Sequence, residues 1–262
     1  MDYNKEEDKL FCQWARNLNV SMDEFVSDGL LFQGKIEFDG INYVRKTSGP
    51  NSFNWDNAKR RLLIITRDQP CDDGNIWDVR GDVPLKNDHV SFKPEQIFKC
   101  LIPWAQATLE YDKEGLSLSL DDKDELIDFW IKTPMVRINC SKLAGKRVKD
   151  GGCSRNKVIG YLEDNKDFFL KQIKLYDANI IMCCSGYDVQ SNPIIDYLQK
   201  YLLQDLLKIN NYVWFSNKEK VMVLDTYHFS NWKFHNLKNI IGEANNIKEK
   251  ILDAKLKGYL LP

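Results

Sequence analysis

RRLLIITRDQP, residues 60–70, decides the fold: LLIIT is apolar without alternation and gives way at once to an arginine, a carboxylate, an amide and a proline. A strand with one wet face alternates apolar and polar residues, whereas a strand covered on both faces does not. LLIIT therefore reads as a central strand of a parallel sheet flanked by helices. MVRINC at 135–140 and ANIIMCCSG at 178–186 repeat the pattern.

Helical periodicity fills the intervals. FKPEQIFKCLIPWAQATLEY (92–111) and the acidic DDKDELIDFWI (121–131) read as helices between the first two strands. Arg155 to Tyr176 reads as one long amphipathic helix, with Ser154 as its N-cap and Ile159, Leu162, Phe169 and Ile173 on one stripe. NPIIDYLQKYLLQDLLKI (192–209) reads as helix, YVWFS (212–216) and VMVLD (221–225) as strands, and FHNLKNIIGEANNIKEKILDAKL (234–256) as a closing helix. The first 33 residues read as two helices, the second opening at Ser21 with Glu24 three places on, a reciprocal capping box. KIEFDGINYV (35–44) sets Asp39-Gly40 between two β-rich runs, the signature of a hairpin turn. The expected fold is α/β, a three-layer α/β/α domain with a mostly parallel central sheet. A single domain spans 1–262, with 1–50 as an N-terminal helical and hairpin extension.

Composition narrows the function classes. The chain has 262 residues, 43% of them hydrophobic, enough for a substantial core. With 37 basic and 38 acidic residues the net charge is −1, so any attraction to polyanions must be local. The one basic run holds Lys142, Lys146, Arg147, Lys149, Arg155 and Lys157 against Asp150. It reads either as a solvated loop or as a phosphate-facing patch. Cysteines stand at 12, 71, 100, 140, 153, 183 and 184, with no C-x-x-C pair, which argues against a metal or an iron–sulfur cluster. There is no apolar leader and no run of about eighteen apolar residues. A cytoplasmic protein with reduced thiols, no membrane partner and no cofactor is expected.

In parallel α/β sheets, ligands sit beyond the carboxyl ends of the strands. Those ends read TRDQP, INCSKLAGK, CSGYD and DTYHFS, which brings an acid and an amide, an Asn, a Ser-Gly and a His toward one crevice. In this order and context, over roughly residues 55–230, the chain resembles the uracil-DNA glycosylase superfamily. LLIITRDQP, VRINCSKLAGK and VMVLDTYHFS occupy the places of that family's polar Asp/Asn-Pro loop, its strand-ending Asn and its His loop.

The resemblance implies excision of a uracil-type base flipped out of DNA. Asn139 would read the pyrimidine edge, and Trp77 would stack on the base unless it is an ordinary core anchor. His228 would stabilise the departing anion, and Asp68 or Gln69 would position water. Ser185 and Ser230 would hold phosphates, with Lys142, Lys146 and Arg147 facing the DNA backbone. Gln69 stands immediately before the proline, where the family's acting residue stands, and Asp68 is one position earlier. Phe229 replaces the proline usual after the His. These departures favour, as the alternative, a catalytically weak or inactive module of the same fold that binds a nucleotide or nucleic acid. A third reading, magnesium held by Asp68, Asp72 and Asp73, lacks a phosphate-loop motif and ranks last.

Overall fold

The computed structural model describes residues 1–31, 35–40, 43–46, 52–68, 78–82, 96–116, 122–145, 154–186, 192–229, 232–234, 236–259 and 261–262.

Helix α1 (Tyr3–Leu18) starts at Asp2, whose carboxylate accepts from Lys5 N, and ends at Asn19 in the left-handed conformation with φ 56°. Its buried residues Tyr3, Glu7, Leu10, Phe11 and Trp14 recur at helical spacing. The expected second helix is only one turn. The Ser21–Glu24 box does form, with Glu24 Oε2 accepting from Ser21 N at 3.1 Å and Ser21 Oγ at 2.9 Å. The chain then turns extended because Val26 N donates to Lys142 O and Leu31 N to Met135 O, so sheet pairing captures a backbone that capping alone would have coiled.

This segment becomes β1 (Gly29–Leu30), followed by the hairpin β2 (Lys35–Phe38) and β3 (Tyr43–Lys46). Phe38 pairs with Tyr43, which leaves a connection at 39–42 with Gly40 at φ 98°. The hairpin expected at Asp39-Gly40 is present, with a loop two residues longer than the tightest turn.

Helix α2 (Ser52–Asn57) leads into β4 (Leu62–Thr66), the LLIIT run, every residue of which is buried. After a 3-10 turn at Val79–Asp82 come α3 (Gln96–Leu109), α4 (Lys123–Lys132) and β5 (Met135–Asn139). The single long helix expected over 155–176 is two, α5 (Arg155–Asp164) and α6 (Lys166–Tyr176). Asn165 makes the break. Its Oδ1 accepts from the buried Trp14 indole N–H at 2.7 Å and its Nδ2 donates to Tyr161 O at 3.1 Å. An orphaned indole donor would cost about 1–3 kcal/mol, which outweighs one lost helical step.

Strand β6 (Ile180–Gly186) precedes α7 (Pro193–Tyr201), which is shorter than expected. Leu203 and Leu206 turn into the core, and the chain forms an edge strand, β7 (Leu207–Lys208), against β8 (Val213–Ser216). The fold closes with β9 (Val221–Tyr227), a 3-10 turn at Trp232–Phe234 and α8 (Leu237–Leu256).

The main sheet has seven strands in the order β1-β5-β4-β6-β9-β8-β7. β5, β4, β6 and β9 run parallel, and the outer strands are antiparallel. Alternate residues feed two cores. Leu63, Ile65, Val136 and Ile181 pack with α1, α5, α6 and α7, while Leu62, Ile64, Met182 and Leu224 pack with α3 and α8. Among the described residues no helix is long and apolar enough to cross a membrane.

Residues 1–31 are built into this domain. The Arg80 guanidinium, fully buried, donates to Glu7 Oε2 at 3.0 Å, Asp8 Oδ1 at 2.9 Å and Asp78 Oδ2 at 2.6 Å. Glu7 Oε1 accepts from Leu30 N and from Tyr176 OH. A Cβ at Gly29 would collide with that carboxylate and come within 2.6 Å of Tyr176 OH, so only glycine allows the approach.

Candidate functional site

Strand register sets the candidate groups along one edge. Thr66 pairs with Asn139, and Cys140 N to Thr66 O and Ser141 N to Arg67 O carry the β4–β5 pairing past both strand ends. Across the sheet, Cys184 pairs with Thr226 and Gly186 with Tyr227, so the extra residue, Ser185, lies in a bulge beside the start of the His228 loop. The strand order reverses at β4: β5, the next of the parallel strands in the chain, lies on one side of it and β6 on the other. Crevices form at such a switch point.

Asn139 and Lys142 turn inward. Asn139 is fully buried: Thr66 Oγ1 donates to its Oδ1 at 2.5 Å, and its own Nδ2 and backbone N donate to Asp28 Oδ2 at 3.1 and 2.7 Å. Both ends of the amide expected to read a base are therefore engaged inside the protein. Lys142 is corrected from a phosphate contact to a core ion pair. Its Nζ donates to Asp28 Oδ1 at 2.5 Å and to Asn139 O at 3.1 Å, over the Trp14 ring at 5.1 Å. Burial lowers its pKa and the Asp28 carboxylate opposes that fall. Gln172 Nε2 completes the shell around Asp28 at 2.9 Å.

A different set of charges faces the His loop. Arg137 is 7% exposed in the middle of β5, and Arg67 follows β4. Burial first, then the positive charges of Arg67 and Arg137, push the half-buried His228 down to about 3, so its imidazole is neutral at physiological pH. Both arginines also act on Cys184, whose thiol burial nonetheless pushes up to about 12. Burial raises Cys183 likewise. Neither thiol is a nucleophile, because reactivity requires the thiolate. Ser185 is fully buried and its Oγ has no hydrogen-bond partner among the described residues.

Asp68 meets the Lys-x-x-Gly stretch directly. A Cβ on Gly145 would overlap the Asp68 carboxylate and lie 2.5 Å from its Cγ, so the absent side chain at 145 is what lets the two loops close on each other. Gly145→Ala should cost about 1–3 kcal/mol by overpacking and displace Asp68. Urea unfolding would measure the cost, and a stability equal to wild type would show that the loops do not meet this way.

Gln69, Trp77, Ser230, Lys146 and Arg147 lie outside the described residues, as do Asp72 and Asp73. Among the described residues no group of three or more His, Cys, Asp or Glu side chains is arranged to hold a metal ion. Two members of the arrangement were not singled out from sequence. Arg67 stands inside the opening stretch, and Arg137 is a lone cation in a strand covered on both faces, which is itself the signal, since an unpaired charge there would be prohibitively costly. No family model, characterised protein or solved structure matches this chain, so its function rests on the chemistry of this edge.

Proposed function

We propose that the edge formed by the ends of β5, β4, β6 and β9 binds an anionic nucleotide or nucleic-acid segment without efficient hydrolysis, as a weak or inactive relative of uracil-DNA glycosylases. One observation carries this reading: Arg67, directly after β4, and the buried Arg137 of β5 stand near enough to the His228 loop after β9 for their charges to add to burial in keeping its imidazole neutral. Two guanidiniums supply the positive field for phosphate oxygens, and a neutral imidazole adds a donor or an acceptor without charge. Asn139, the residue most needed to select a base, has its amide engaged by Thr66 and Asp28.

The excision reading keeps one specific support. Asp68 and His228 follow strands separated only by β6, whose buried Ser185 hydroxyl lies at the end between them without a hydrogen-bond partner among the described residues. In that reading Asp68 or Gln69 would orient water, and the arginines with His228 would stabilise the departing base.

The test uses the full chain with uracil-containing and ordinary oligonucleotides, single- and double-stranded, over a salt series. Binding that weakens steeply with salt, drops about 10–100-fold in Arg67→Gln and yields no abasic product supports the module. Abasic sites that vanish in His228→Ala would instead establish the hydrolase. No saturable binding of either oligonucleotide would sink both readings.

A further inference from the structure

The opposite, amino edge of the sheet has a cavity of its own. Its volume is 330 Å³, within the range of small-molecule sites, and it lies between the start of β4, the turn from α6 into β6 and the β8–β9 turn. Arg61, Asp177, Asn179, Glu219 and Lys220 supply its polar wall, Ala178 and Val221 an apolar one, and Pro262 completes the lining.

Most of the polar wall is already committed. Arg61 Nη2 donates to Asp177 Oδ2 at 2.8 Å, and Lys218 Nζ lies 3.5 Å from Glu219 Oε1. Asn179 Oδ1 accepts from Arg61 N at 2.8 Å and its Nδ2 donates to Lys59 O at 2.9 Å. Pro262 O accepts from Arg60 Nε at 3.0 Å and from Tyr111 OH at 2.8 Å. Each side-chain carboxylate thus faces a cation of the protein, and the amide is used at both ends. The uncommitted groups are donors: the rest of the Arg61 guanidinium, and the Lys220 ammonium, which has no ion pair among the described residues. Lys220 also holds φ 56°, a backbone position that glycine or asparagine adopts more cheaply. The turn alone does not account for a lysine there.

The geometry points to a binding site for a small phosphate monoester in this cavity. Lys220 contributes a point charge and Arg61 planar N–H donors to the phosphate oxygens. The organic group lies against Ala178 and Val221. The inference is independent of the crevice reading, because the cavity lies at the other ends of the same strands.

Titration of the full chain with phenyl phosphate, followed by backbone amide NMR, tests it. The expected result is saturable shifts at Ala178, Asn179 and Val221. Lys220→Asn, which relieves the left-handed backbone, should raise the melting temperature slightly yet weaken binding at least tenfold, while Arg67→Gln at the far edge leaves these shifts unchanged. Equal affinity in Lys220→Asn, or shifts confined to the crevice, would overturn the site. Benzoate binding as tightly as phenyl phosphate would overturn its assignment to a phosphate ester. Loss of oligonucleotide binding in Arg67→Gln with these amide shifts intact separates this inference from the crevice reading.

Discussion

Arg80→Met should lower the free energy of unfolding by about 3–5 kcal/mol, the range for removing one partner of a buried ion pair. The guanidinium is fully enclosed between α1 and the 3-10 turn, lies over the Phe11 ring at 5.1 Å and bonds three carboxylates. Methionine fills much of the same space, so the loss is electrostatic. It leaves the buried Glu7 carboxyl, whose pKa burial already raises against the pull of Arg80, without its cation. Glu7→Gln should cost less, because Arg80 keeps Asp78 and Asp8. The Arg80→Met/Glu7→Gln double variant should therefore be more stable than the sum of the two losses implies. Additive losses in urea unfolding would show that the two groups are not coupled as the distances indicate.

That network also shows where sequence reading stops. The central strands were legible because burial on both faces writes itself locally, as LLIIT, MVRIN and IIMCC without alternation. Ser154 as the cap of α5 was legible for the same reason, since an N-cap acts within three residues: Lys157 N donates to Ser154 Oγ. The break at Asn165 was not, because its cause, the Trp14 indole, lies 151 residues away. The true end of α7 was hidden likewise, since Asp205, four residues past it, accepts from Ser216 Oγ and Lys218 N in a hairpin formed later in the chain.

The candidate edge divides along the same line. A strand end predicts that Asp68, Asn139 and His228 share an edge, and the register places them there. It does not predict which way each side chain's hydrogen bonds go. Lys142 looked like part of a surface basic run because its partner, Asp28, is 114 residues away and reaches it only through the extended segment that replaces the expected second helix. The local error at Ser21 and the functional error at Lys142 are therefore one error. A helix continuing through residue 28 would not place Asp28 on the backbone N–H of Asn139, and Lys142 would lose its counter-ion.

Acidification should destabilise the protein through His228 before the carboxylates titrate. The sign follows from the depressed pKa: the unfolded chain takes up a proton near 6.5, while the folded site resists until about 3. The contribution is complete above pH 6.5 and is lost progressively as pH falls through that interval. At about 1.4 kcal/mol per unit, the step from pH 6.5 to 5 removes about 2 kcal/mol, before the unfolded carboxylates near pH 4 contribute. His228→Asn keeps a polar side chain of similar size without the titration, and its stability curve should be flatter than wild type by one proton across that window. Parallel curves for the two proteins would mean that His228 does not sit neutral against Arg67 and Arg137, and the electrostatic basis of the proposed anion site would fall with it. A flatter curve together with retained oligonucleotide binding would assign the binding field to the arginines and leave His228 as a neutral hydrogen-bonding group, the division of labour expected where two guanidiniums already hold the charge.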